Sequence, residues 1–128
     1  MKMKIAIVMS FWTCFVPRMY ATGFVSGNEL LKQCQATLNR EANPQVSRDE
    51  QDDSLLCVAY IDGAMDTQGQ TLELHPDLKT FRYCLPDNVP LIQSVRVIVK
   101  FLKEHPEKLH MRASLLISVA LVDVFPCK

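Results

Sequence analysis

The sequence predicts an all-α fold, a small bundle of about four helices in antiparallel hairpins, stapled by disulfides. Three observations carry that expectation. Apolar residues recur at helical spacing in four separate stretches. Proline, glycine and asparagine punctuate the chain between them. Four cysteines remain once an N-terminal leader is set aside. With 128 residues, 48% hydrophobic and 22% charged, there is material for one ordinary globular domain.

Residues 1–21 are laid out as a secretory signal peptide. Lys2 and Lys4 open it, an uncharged run from Ile5 to Val16 follows, and Pro17-Arg18-Met19-Tyr20-Ala21 closes it. A run of about a dozen residues suits a leader and falls short of the ~20 that span a bilayer. Cleavage is placed after Ala21, with Gly23 as the alternative, leaving residues 22–128 as a single helical domain. The other long apolar stretch, in the last helix, carries Arg112 and Asp123, so no stable membrane association is expected after cleavage. The whole chain is formally neutral, but residues 22–128 hold eleven basic against fourteen acidic side chains. That mildly acidic balance offers nothing to a nucleic-acid duplex.

The remaining cysteines are Cys34, Cys57, Cys84 and Cys127. An even number in a short exported chain reads as two disulfides. Separations of 23, 27 and 43 positions do not suit a zinc site, and neither metal nor cofactor is expected.

The first helix starts at Ser26-Gly27-Asn28-Glu29, a capping box in which Glu29 reaches back to the cap. Leu30, Leu31, Cys34 and Leu38 follow at helical spacing, and Asn43-Pro44 stops it. The second opens either at a Ser47/Glu50 capping box or at Asp53. It carries Leu56, Cys57, Tyr60, Ile61, Ala64 and Met65, with Gly63 as a point of close backbone approach. From Gln68 to Pro86 the pattern breaks into a connector of nearly twenty residues, long enough to suggest a job such as holding Cys84.

Asp87 or Asn88 caps the third helix, with Pro90 in its first turn and Leu91, Val95, Ile98 and Leu102 on one face. Val95-Arg96-Val97-Ile98-Val99 also suits a strand; the proline entry and the length favour helix. His105-Pro106 ends it. The last helix, Leu109 to Phe125, is apolar on most of its surface, so it belongs in the core or in a dimer interface. Antiparallel hairpins select Cys34–Cys57 and Cys84–Cys127 from the three connectivities that four cysteines allow.

No catalytic constellation is present. The chain lacks Gly-x-Ser-x-Gly, His-Glu-x-x-His and a glycine-rich phosphate loop. His75, His105 and His110 lie in or beside connectors. Asp62 and Asp66, one helical turn apart, read as a solvated face. Asp49, Glu50, Asp52 and Asp53 form an acidic run, either a solvated helix start or a contact for a basic partner.

Five fragments, in order, resemble the type VI secretion amidase immunity (Tai) proteins of Gram-negative bacteria. They are Gly27-Asn28-Glu29-Leu30-Leu31 leading to Cys34, Cys57-Val58-Ala59-Tyr60-Ile61-Asp62-Gly63, and Tyr83-Cys84-Leu85-Pro86 followed by Val89. Phe101-Leu102-Lys103-Glu104-His105-Pro106-Glu107 and Phe125-Pro126-Cys127 complete the set. The stretch before Cys57 is longer than the family's connector, so contacts there transfer least.

The resemblance implies a periplasmic, all-helical homodimer that is not an enzyme. Its partner would be a cognate secreted amidase that cleaves peptidoglycan stem peptides and is injected by sister cells. Family members block that enzyme by pushing a loop into its substrate groove. The matching segment here is Lys103, Glu104, His105, Pro106, Glu107 and Lys108, polar and stiffened by proline; the acidic run is a secondary contact. Two other classes fit the residues alone: a periplasmic chaperone or structural binding protein, and a small secreted enzyme.

Overall fold

The computed structural model describes residues 24–75, 77 and 81–127. The expected leader, residues 1–21, lies outside the described residues. Within them, four α-helices, a short 3₁₀ turn and no strand make up the secondary structure: α1 (Gly27–Ala42), α2 (Arg48–Leu74), α3 (Leu91–Glu104), the 3₁₀ turn Pro106–Lys108 and α4 (Ala113–Val124). None is long and apolar enough to cross a membrane. The expected all-α bundle is the observed one.

Ser26 caps α1 by accepting a 3.3 Å bond from the Glu29 N–H, but Glu29 does not return it. The complete box belongs to α2, where the Ser47 hydroxyl accepts from the Glu50 N–H and the Glu50 carboxylate accepts from the Ser47 N–H at 3.2 Å. This decides between the two starts in favour of Ser47.

α2 also runs on to Leu74, through the region expected to be a connector. A single Gly69 costs a helix only about 1 kcal/mol. Thr67 and Thr71 spend their hydroxyls on carbonyls one turn back, at 2.7 and 2.8 Å, rather than competing with the ladder. His75 ends it, as the residue before a proline is disposed to do.

The core is built from Leu30 and Cys34 of α1, Cys57 and Ile61 of α2, Val95, Ile98 and Leu102 of α3, and Leu116, Ile117 and Leu121 of α4. Each large aliphatic among them contributes roughly 1.5–3 kcal/mol by leaving water. Leu56 does not join them: it and Leu55 are 54% and 59% exposed, because they project from the side of α2 away from Ser54 and Cys57, which meet α1. Ser54 takes the inward position instead, its carbonyl accepting from the Thr37 hydroxyl at 3.3 Å.

The entry to α3 also differs from expectation. Asp87 and Asn88 are the middle of a turn closed by Val89 N–H to the Pro86 carbonyl, and Pro90 occupies the cap with no side-chain bond. The expected pairings are the observed ones, although Cys34 lies in the middle of α1 rather than near its end, so its bridge crosses the body of the α1/α2 hairpin. Cys34–Cys57 lies in the core with both residues fully buried, and Cys84–Cys127 ties the connector to the end of α4.

α4 begins at Ala113, four residues later than its apolar pattern suggests. The reason lies at the start of α1, whose first N–H groups have no partner within their own helix. Asn28 N–H donates to the Leu109 carbonyl at 2.9 Å and Gly27 N–H to the Met111 carbonyl at 3.0 Å. Residues 109–112 therefore serve α1 instead of extending α4. The close backbone approach is at Gly27, where a methyl group would fall 3.0 Å from the Leu109 Cα and 2.5 Å from the Leu116 side chain. Gly63, expected to fill that role, faces open space.

Candidate partner-binding site

The segment from residue 103 to 108 is partly helix and partly turn. Lys103 and Glu104 complete the last turn of α3, His105 caps it, and Pro106–Lys108 form one turn of 3₁₀ helix. His105 O accepts from the Lys108 N–H at 3.0 Å, and Lys108 O from the Met111 N–H at 2.9 Å. With Leu109 and Met111 bound to the start of α1, the turn is fixed on both sides. It needs little further ordering to meet a partner.

Its side chains divide by role. Lys103, Glu104, Pro106 and Glu107 are exposed, whereas His105 and Lys108 are half-buried. The His105 ring stacks on Phe101 with centroids 4.2 Å apart, and its Nδ1 lies 2.9 Å from the Phe101 carbonyl. A carbonyl only accepts, so Nδ1 carries the proton. The Lys108 ammonium sits 5.4 Å from the centroid of the same phenyl ring. Glu104 and Glu107 have only loose ion pairs, at 3.9 Å from Lys100 and Lys108. Exposed pairs of this kind contribute about 0–1 kcal/mol, so both carboxylates are free to change partners.

The acidic run occupies the first turns of α2 and is not part of the same surface. Gly27, beside the 103–108 turn, and Asn39, within hydrogen-bond reach of Glu50 at 3.5 Å, are twelve residues apart on α1. At 1.5 Å per residue that is about 18 Å. Two of the four acids already have structural work. Bonds from the Ser47 backbone N–H and hydroxyl hold the Glu50 carboxyl below the usual carboxylate range. Asp53 pairs with Lys32 at 3.0 Å, and this hydrogen bond raises the lysine above its ordinary value. Asp49 and Asp52 are the exposed members left to meet a partner.

Sequence reasoning missed two concave features. One is a cleft of about 710 Å³ between α2 and α4, floored by small residues such as Ala59, Gly63, Ala64, Ser114 and Ser118. These helices touch little elsewhere, and small side chains leave the space open. The other is a recess of about 310 Å³ at the base of the 103–108 turn, reached by Phe101 of α3, by His105 that caps it, and by Val119, Val122 and Asp123 of α4. Phe81 borders both. The outward side of α4 is thus neither fully covered nor fully solvated: Leu115, Val119 and Val122 are half-buried and Val124 is 49% exposed. Among the described residues, no group of three or more His, Cys, Asp or Glu is placed to hold a metal ion.

A family model described as Rap1a immunity proteins matches residues 26–127, from the α1 cap to the last cysteine. No curated protein and no solved structure matches the chain.

Proposed function

Because this chain belongs to the Rap1a immunity protein family, we propose that it is a periplasmic inhibitor of one type VI secreted peptidoglycan amidase, acting by occlusion. Membership supports an immunity protein directed at a type VI effector, and with it a binding role. The compartment and the mode of inhibition have three supports. Two disulfides suit an oxidising compartment such as the periplasm. The leader-like residues 1–21 would deliver the chain there and be removed. The observation that carries occlusion is the 103–108 turn, which exposes Glu104 and Glu107 and is held between α3 and residues 109–111, themselves bonded to the start of α1.

An amidase that cleaves acidic stem peptides must offer donors and positive potential in its groove. A rigid turn with two carboxylates can imitate that substrate without presenting a scissile bond in the right place. Binding there would exclude substrate rather than alter chemistry, so inhibition should be competitive.

The test uses a purified type VI peptidoglycan amidase as the candidate cognate effector, with isolated peptidoglycan as its substrate. Residues 22–128, added at equal concentration, should abolish stem-peptide release, and excess substrate should restore it. Full hydrolysis at saturating inhibitor would refute the reading.

The homodimer expected from the resemblance is part of the same proposal. The α2/α4 cleft and the half-buried outward side of α4 support it, since a second copy would cover apolar surface the monomer leaves wet. Light scattering at micromolar concentration should return twice the monomer mass. The monomer mass at high micromolar concentration would confine the assembly to one inhibitor and one enzyme.

A further inference from the structure

Asp123 is the single charged residue of α4, and it sits in that helix's last turn. The partial negative charge at a helix C-terminus repels a carboxylate there. That turn contains no basic residue, and no ion pair among the described residues reaches Asp123. An exposed acid placed against its helix, with no compensating partner among the described residues, is a local conflict of the kind that marks a binding site.

Asp123 borders the recess beneath the 103–108 turn, with Phe81, Phe101, Val119 and Val122 as apolar walls. His105 is the other polar group there. Its Nδ1–H is committed to the Phe101 carbonyl, so in the neutral ring Nε2 is a hydrogen-bond acceptor. The recess therefore combines two acceptors, one of them charged, and its walls supply no side-chain donor between them. An apolar group entering it would strip water from both acceptors and replace nothing.

From this juxtaposition we infer that the recess receives an arginine side chain of the inhibited enzyme. The inference rests on the proposed function for the identity of the partner. A volume of about 310 Å³ admits one long side chain and excludes a helix. A guanidinium carries five N–H donors in a planar fork, enough for the Asp123 carboxylate and His105 Nε2 together. Its flat face and aliphatic stem suit phenyl and valine walls better than a compact, strongly hydrated ammonium does. The turn and the recess would then act as one unit, with acidic residues entering the enzyme's groove while a basic residue from the groove's rim enters the inhibitor.

The experiment measures binding of the same purified amidase to wild type, Asp123→Asn and Asp62→Asn. Asp62→Asn removes an equal charge from an exposed site on α2 and controls for long-range attraction. Asp123→Asn should weaken binding at least tenfold while Tm stays at or above the wild-type value, because the carboxylate opposes its own helix. Asp62→Asn should change affinity less than twofold. Alanine replacement of the enzyme's surface arginines one at a time should find one whose effect vanishes in the Asp123→Asn background. Equal affinities for wild type and Asp123→Asn would overturn the recess and leave the proposed function standing. Equal losses in both aspartate variants, or no coupled arginine, would also overturn it. Failure of wild type to bind would overturn the inference and the proposed function together.

Discussion

Replacing Glu104, His105 and Glu107 together with alanine should weaken binding to the proposed amidase partner at least a hundredfold, about 2.7 kcal/mol. Truncation at a buried hot spot costs roughly 2 kcal/mol or more, and few interface residues carry such weight. The two glutamates are well placed to carry it. Both are exposed, and their present partners at 3.9 Å hold them weakly, so a groove rich in donors gains them at little loss to the free inhibitor.

His105 acts differently, because its ring is stacked on Phe101 and bonded to the Phe101 carbonyl. The triple variant should therefore lose about 1 kcal/mol of stability from that stack, a few degrees in Tm. A Glu104→Gln, Glu107→Gln double variant keeps His105 and should show much of the affinity loss with no change in Tm. Calorimetric titration and thermal melts separate the two effects. Undiminished affinity in the triple variant would shift the inhibitory surface to the start of α2. Asp49 and Asp52 would be the residues to replace there, since Glu50 and Asp53 hold the fold.

What could be read in advance follows from what determines each feature. The number of helices and the pairing of cysteines are set by periodicity and hairpin geometry, both local in the chain. The start of α4 is not local. Residues 109–112 are helical in pattern, but the unpaired N–H groups at the start of α1, more than eighty positions earlier, take the Leu109 and Met111 carbonyls. Gly63 and Gly27 show the same limit, since a glycine's role depends on which backbone lies opposite it, and only Gly27 has one. Leu56 fits the apolar stripe of α2 on paper. Helix phase then turns it outward and brings Ser54 in, with the Thr37 hydroxyl satisfying its carbonyl.

The candidate site divides in the same way. Its turn is contiguous, and the family resemblance points to it; the polar, proline-marked pattern alone suits a plain solvated turn equally well. The recess below it joins the ends of two helices, and an aspartate at the end of an apolar helix forms no motif with a histidine eighteen positions before it. Its meaning depends on the absence of a counterion, which only the folded arrangement of the described residues exhibits.

Mild thiol treatment of the native protein should open Cys84–Cys127 while leaving Cys34–Cys57 intact, with rates at least a thousandfold apart. Exchange requires a thiolate to reach a sulfur, so access controls the rate. Cys84 is exposed and Cys127 half-buried, whereas Cys34 and Cys57 have no exposed surface. Attack on the inner pair must await an opening that separates α1 from α2. Such an opening approaches global unfolding, which for a small domain costs ~5 kcal/mol or more, a population of about one in several thousand.

Loop length alone predicts no such separation. The closed loops span 23 and 43 positions, and the chain-entropy model assigns the two bridges about 3 and about 4 kcal/mol. Timed alkylation with peptide mass spectrometry gives both the order of reduction and the pairing. After the outer bridge opens, the Cys84 N–H bond to the Phe125 carbonyl and the contact between Tyr83 and Pro126 still connect the strap to the end of α4. The Tyr83 hydroxyl, whose pKa burial pushes up to about 12, reports on that contact. If the strap stays docked, its titration remains displaced upward; if it leaves, the value falls toward that of free tyrosine. Simultaneous loss of both bridges would mean that α1 and α2 part as easily as the strap does, contrary to a core that closes around Cys34 and Cys57.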